Sequence, residues 1–408
     1  MTDDLGLFGE PAAGTAMPAG SRRVARQERE RRRRARRRRR IVLGATFGLL
    51  VLIAGGVWFG VQQLLELREV PDYRGPGVGD TVVRVEEGDS TSAIAARLES
   101  EDVVASARAF TQAAEGDSRI RSVQPGFYQM RNRMSGAAAV GMLLDPVSRV
   151  GQLEVRGGTQ LDDVVQPDGS VTPGVLSLLS EASCARIGGA PSCVSVAGLR
   201  AAMEQVDPVE LGVPEWAAAA VARVDGAKRM EGLIMPGRYD VRPGSSAADL
   251  LAQVMATSMA RLQAVGMPDA AEPTGFRPYE VLVVASIIER EAIAPDFGKV
   301  SRVIYTRLAE GMPLQMDSTI NYPLDRQQIT TSDADRNSPG SYNTYLNAGL
   351  PPSPIGSPST AALTAAIEPD PGPWRYFVKC QTDGTSCFSL TVEEHRAAVA
   401  DAQARGIF

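Results

Sequence analysis

The spacing of apolar positions changes several times along the chain, and each change predicts an element. Ile41–Val61 is apolar throughout and carries no charge. That predicts a helix long enough to cross a hydrocarbon core about 30 Å thick. A Pro- and Gly-bearing stretch, 62–80, reads as a linker. Thr81–Val85 alternates as a strand. Glu86–Ser90 reads as a turn, with Ser90 or Thr91 capping a helix that places Ile94, Ala95 and Leu98 on one face. A second helix starts at Ala107, Val123–Met130 reads as a turn into a strand, and Ala137–Leu144 as a closing helix. A larger region begins near Val155. It predicts helices over Gln160–Gln166, Val196–Val206 and Ser245–Leu262, the last started by Ser245 or Ser246. Residues 167–195, rich in Gly, Pro and Ser, read as an inserted loop. Pro278 is a favoured first helical position. It opens a helix that runs through Val281–Ile288 to Glu291. Val303, Ile304, Arg307 and Leu308 define another, ended by Gly311. No repeat of solenoid length is visible. The class is α+β: one N-terminal transmembrane helix, a small α+β module over 81–150, and a larger α+β domain over 151–408.

Charge divides the chain unevenly. Residues 1–40 hold 13 arginines against five acids, a surplus of eight positive charges, although the whole chain is −5. Everything after residue 40 therefore carries −13. An acidic body argues against a nucleic-acid partner, which needs a basic face. The tract Arg31–Arg40 abuts the apolar span, so it reads as a topology signal resting near anionic lipid. The positive-inside rule then puts 1–40, a disordered tail, in the cytoplasm and everything after Val61 outside. Gln62-Gln63-Leu64-Leu65 follows the span where a cleaved signal would show small residues, which favours an uncleaved anchor.

The single histidine, His395, removes most His-based catalysis and most transition-metal sites. No metal and no cofactor are expected. The four cysteines, Cys184, Cys193, Cys380 and Cys387, all fall outside the membrane, where disulfides form. Three connectivities are open. The two local pairs are favoured, since each brackets a Gly-containing turn.

The chemistry concentrates in the stretch ending Glu289-Arg290-Glu291. A carboxyl on a greasy helix end resists ionisation, and a protonated carboxyl near neutral pH can protonate a leaving oxygen. Glu291 stacks over Ile287 and Ile288, whereas Glu289 stacks over Ala285 and Ser286. Residues two apart do not share a face. The apolar lining favours Glu291 as the acid, leaving Glu289 to pair with an arginine or hold the helix in place. The bland alternative is that both are solvated helix termini. Downstream, Leu314, Gln315, Asp317, Ser318, Thr319 and Tyr322 form a dense polar loop. Ser338–Ser359 is rich in turn formers, Tyr and Asn, a mixture that suits sugar rings and hydroxyls.

These motifs carry a resemblance. ASIIEREA, GMPLQMDSTINY, SYNTYLNAGLPPSPIGSPSTAAL and the final YFV…EEH resemble the endolytic murein transglycosylase (YceG-like) family over roughly residues 81–408. VRVEEGDSTSAIAARLESEDVV resembles the start of a LysM-like module, with a plain α+β packing unit as the alternative. The resemblance implies non-hydrolytic cleavage of peptidoglycan glycan strands, with Glu291 as the lone catalytic residue and Glu289 in support. It implies glycan contacts from Gln315, Asp317, Tyr342, Asn343 and Tyr345. It further implies work beside peptidoglycan synthases (penicillin-binding proteins) at the outer face of the membrane. The chain departs from the family pattern in three places. Ser318 replaces a proline, Gly237 stands in place of an acid within Met235–Tyr239, and Thr385-Ser386-Cys387-Phe388 lacks a histidine. Two other classes stay open: a muramidase-type hydrolase with Asp317 as second carboxylate, and a non-catalytic wall-binding scaffold.

Overall fold

The computed structural model describes residues 43–60, 70–324, 328 and 331–407. The tail 1–40 lies outside them. The chain divides into two units, Met1–Val70 and Pro71–Phe408. In the first, α1 (Leu43–Gly60) has a mean hydropathy of 1.9, and none of its residues is buried in the protein. At about 1.5 Å per residue it spans roughly 27 Å, enough to cross a bilayer core.

The second unit begins with β1 (Pro76–Val85), α2 (Thr91–Ser100), α3 (Ala107–Glu115), β2 (Gly126–Met134), α4 (Gly136–Leu144) and β3 (Arg149–Val150). β2 pairs antiparallel with both β1 and β3, and Val83 faces Tyr128 in the register. Ser90, Ser106 and Ser135 cap the three helices through their hydroxyls. Ile94, Leu98, Phe110, Met130, Met134 and Val140 build one core. Gly136 lies so close to Ala109 that any side chain would collide with its carbonyl, which fixes the approach of α4 to α3. The expected linker ends earlier than its composition suggested. β1 starts at Pro76, and 71–75 are tied down by Ser106 to Pro71 (2.7 Å), Gly136 N–H to Asp72 (2.9 Å) and Tyr73 to Asp102 (2.7 Å). Gly and Pro here shape bound backbone instead of loosening it.

The remainder runs β4 (Gln152–Val155), β5 (Val164–Val165), β6 (Val171–Thr172), α5 (Val175–Ala182), β7 (Ala185–Ile187), β8 (Ala190–Ser192), α6 (Val196–Gln205) and α7 (Glu215–Val221). Then follow β9 (Gly237–Asp240), α8 (Ala247–Ala264), α9 (Pro278–Glu291), α10 (Phe297–Ala309), α11 (Asp317–Asn321), α12 (Asp333–Arg336), α13 (Thr360–Ile367), β10 (Tyr376–Lys379), β11 (Ser386–Ser389) and α14 (Val392–Ala404). The named sheets here are two-stranded, β4–β9 among them, so helices supply most of the core. Every α9 residue from Tyr279 to Ile288, except the partly buried Glu280, is buried. A helix apolar on all sides belongs at the centre of a fold, and α7, α10, α11 and α13 pack around it.

Two expectations are corrected here. Gln160–Gln166 is not helical: the carbonyls of Gln160 and Leu161 accept from Val175 and Leu176 N–H at the start of α5, and 164–165 become β5. Nor is 167–195 a plain loop, because α5 within it buries Val175, Leu176, Leu179 and Ala182. Its second half is a hairpin, β7–β8, flanked by the Cys184–Cys193 disulfide. Arg186 of that hairpin binds Asp80 (3.1 Å) and exchanges two hydrogen bonds with the Gln129 side chain. Cys380 and Cys387 form the other disulfide, across β10–β11.

Candidate active site

Glu291 is the last residue of α9, and its position follows from how that helix is built. Pro278 sits in the first turn, and the Glu280 carboxylate accepts from both the backbone N–H and the guanidinium of Arg277. At the other end Ala292 turns extended. The Glu291 side chain is recessed but keeps an opening to solvent. Its Oε1 accepts from the Ser318 N–H at 3.0 Å. Burial pushes its carboxyl above the ordinary glutamate range, and the Asp317 charge pushes the same way, against Ser318 and Arg290. The negative end of the α9 dipole adds to that resistance to ionisation.

Glu289 points elsewhere, as helical geometry requires. Its Oε2 accepts from the Ser359 N–H at 2.9 Å, just ahead of α13. One turn earlier Ser286 accepts from Ile355 N–H. Gly157 leaves room for Glu289, since any side chain there would strike Oε1. Glu289 therefore holds the 355–359 segment against α9. Arg290 is largely buried and reaches the Gly158 carbonyl at 3.4 Å.

The polar loop is a built wall. Arg307, 6 % exposed, donates to the carbonyls of Pro313, Leu314 and Arg375. The Gln315 N–H binds the Thr344 carbonyl, and Met316 N–H binds the Thr344 hydroxyl. Gln315 takes a left-handed φ of 53° with its side chain exposed, a conformation that costs a non-glycine residue about 1 kcal/mol. Asp317 Oδ1 accepts from Tyr345 (2.6 Å) and Thr331 (2.7 Å), and Oδ2 lies 3.5 Å from Arg336, whose guanidinium covers the Tyr345 ring. Gln315, Asp317 and Tyr345 thus stand on two segments, 315–319 and 342–345, that are bonded to each other, and the first meets Glu291 through the Ser318 N–H.

Tyr342 and Asn343 are buried, and their polar atoms are bound within the protein. The Tyr342 hydroxyl pairs with Ser353 (2.6 Å), and its ring packs 4.8 Å from that of Tyr322. The Asn343 amide donates to the carbonyls of Arg336 and Ser338, and its oxygen accepts from Tyr345 N–H. Both shape the loop from within. They edge a cavity of about 600 Å³ that Lys228, Ile320 and Pro352 also line. Sequence reading missed Arg336, Arg307 and Glu231. Glu231 is buried at 2 % exposure and binds Tyr322; its signal was a lone acid inside the apolar run Met230–Met235.

An acid recessed at the end of a buried helix and bound by a backbone N–H of a polar loop is the candidate active site. The chain matches the YceG-like family over residues 83–401 and belongs to it. It is 26 % identical over 357 residues to the endolytic murein transglycosylase of Bacillus subtilis strain 168, covering 85 % of this chain and 90 % of that protein. It is 25 % identical over 368 residues to the endolytic murein transglycosylase of Streptococcus pneumoniae serotype 2 strain D39, covering 86 % of this chain. It spans 63 % of that longer relative. A crystal structure of a yceG-like protein from Listeria monocytogenes aligns with a TM-score of 0.49 at 23 % identity, over 78 % of this chain and 98 % of that one.

Proposed function

We propose that this protein is a membrane-anchored lytic transglycosylase. It cuts nascent peptidoglycan glycan strands between N-acetylmuramic acid and N-acetylglucosamine, leaves 1,6-anhydro ends, and so terminates strand growth. The observation that carries this reading is the recessed Glu291 at the end of α9, whose burial pushes its carboxyl above the ordinary glutamate range. Membership of the YceG-like family and the names of the two relatives support it.

The geometry suits one carboxyl acting twice. Protonated Glu291 gives its proton to the glycosidic oxygen as the bond from that oxygen to the muramic C1 breaks. The resulting carboxylate is stabilised by the Ser318 N–H and the nearby Arg290 charge. It then removes the proton from the C6 hydroxyl of the same muramic residue, whose oxygen bonds to C1. The 1,6-anhydro ring closes, Glu291 is protonated again, and no water is consumed. The proposed glycan contacts are the exposed Gln315 together with Asp317 and Tyr345, with Tyr342 and Asn343 at the edge of the neighbouring cavity.

Asp317 beside Glu291 favours a second reading, a hydrolase with two carboxylates. Against it, Asp317 already accepts two hydroxyls and faces Arg336, which leaves it poorly placed to activate water. In the proposed arrangement α1 is an uncleaved anchor with the second unit outside the membrane. The 81–150 region is LysM-like, and peptidoglycan synthases are partners. Mass spectrometry of peptidoglycan treated with wild type and Glu291→Gln tests the central claim. Anhydro-muramic ends made only by the wild type are expected; reducing ends would move the protein to the hydrolases.

A further inference from the structure

The cavity beside the site shares α11 with Glu291. Glu291 meets the N-terminal end of that helix through the Ser318 N–H, while Ile320 and, just past the helix, Pro323 line the cavity. The five residues from Ser318 to Pro323 rise only about 7 Å at helical spacing. The cavity holds about 600 Å³, within the range of small-ligand sites. Ile320, Pro323, Pro339 and Pro352 give it an apolar lining. The Tyr342 hydroxyl and the Asn343 amide at its edge are bound within the protein. Its acids are held too: Asp335 accepts from the Ser332 N–H (2.8 Å) and hydroxyl, and Asp225 from the Ala227 N–H (3.1 Å). Its two cations are not. The side chains of Arg223 and Lys228 make no ion pair and no hydrogen bond among the described residues. Arg223 is exposed just past α7, and the Lys228 ammonium rests over the rings of Tyr322 (4.4 Å) and Tyr342 (5.2 Å). What the cavity offers a ligand is therefore mainly positive charge on an apolar lining.

We propose that this cavity binds the peptide stem of the strand being cut, with Arg223 and Lys228 taking its carboxylates. The proposal rests on peptidoglycan being the substrate and Glu291 the acid. The sugar rings of a glycan strand are neutral; its negative charge resides on the peptide joined to the muramic lactyl group, which ends in a carboxylate. Three extended residues of such a peptide span about 10 Å, enough to run along α11 from Glu291 to the cavity. Arg223 brings a planar fork that matches a carboxylate. Lys228 is already seated on two rings, so it has less side-chain freedom to lose on binding. Both are specificity residues that read the strand at a distance from the bond that breaks.

The test compares two substrates: uncrosslinked strands that carry stems, and the same strands stripped by an amidase that cuts the lactyl–peptide bond. The readout is the ratio of kcat/KM for anhydro-end formation by the full-length protein in detergent micelles. The wild type should favour stem-bearing strands by about tenfold, the change that one charge-assisted hydrogen bond supplies. Arg223→Gln combined with Lys228→Met removes both charges and should bring the ratio close to one. Arg223→Gln alone, at an exposed position, should lower it by about threefold and serves if the double variant does not fold. Raised salt should shrink the wild-type ratio. Equal cleavage of both substrates by the wild type overturns the proposal, as does a preference that survives in the variants, which would place stem recognition elsewhere. Absence of anhydro ends from both substrates brings down the assigned reaction itself, and the proposal with it.

Discussion

The backbone N–H of Ser318 donates to Oε1 of Glu291 at 3.0 Å. Proline has no N–H to give. Ser318→Pro therefore deletes that donor to the carboxylate and raises the Glu291 pKa further. The expected outcome is an alkaline limb of the cleavage rate displaced to higher pH. The Ser318 hydroxyl also favours the Glu291 carboxylate, so Ser318→Ala, which keeps the N–H, displaces the limb the same way and Ser318→Pro, which loses both, displaces it further.

The two glutamates of the motif separate by readout. Glu291→Gln abolishes cleavage with little change in melting temperature. Glu289→Gln weakens the charge-assisted bond to Ser359 N–H and costs about 1–2 kcal/mol of stability. A urea titration followed by circular dichroism, run beside the activity assay, distinguishes them. Full activity loss in Glu289→Gln at unchanged stability would contradict this division.

Asp317 is held by Tyr345 and Thr331, so freeing it tests the hydrolytic alternative. Tyr345→Phe is expected to reduce the rate while the products keep anhydro ends. The appearance of reducing ends in that variant would mean that Asp317, once released, can recruit water.

Stability should depend on pH through Glu231. Its folded pKa, about 7, lies above the ordinary value of 4.5. The folded state therefore holds a proton that the unfolded chain releases. This contribution is fully present below about pH 4.5 and is lost as pH rises through about 7, for at most roughly 3 kcal/mol. Glu291 acts in the same direction. Thermal melts at pH 5 and pH 8 should differ less in Glu231→Gln than in the wild type.

Ile288 is fully buried in α9, three residues before the acid. Ile288→Ala is expected to cost about 2–5 kcal/mol. Chemical denaturation measures that loss, and a value under 1 kcal/mol would argue against the central place of α9.

Much of this arrangement was legible in the chain because local chemistry decided it. Pro278 and the run Val281–Ile288 marked α9 from end to end, and Ser246 and Gly311 marked the start of α8 and the stop after α10. The opposed faces of Glu289 and Glu291 followed from helical period alone. What failed was set by distant partners. The carbonyls of Gln160 and Leu161 serve α5 instead of a helix of their own. α5 was hidden in a Gly- and Pro-rich neighbourhood. The polar atoms of Tyr342 and Asn343 are bound by Ser353, Arg336 and Ser338, partners that composition does not show. Glu231 acquires meaning only when Tyr322, 91 residues later, folds over it.

Mounting the acid on the tip of the most deeply buried helix has a consequence for heat. The turn just before Glu291 is fully buried at Ile287 and Ile288, so the helix that carries it cannot shift without repacking the core. Warming should therefore leave the Glu291 end of α9 in place until the core itself gives way, with no earlier loosening of its own.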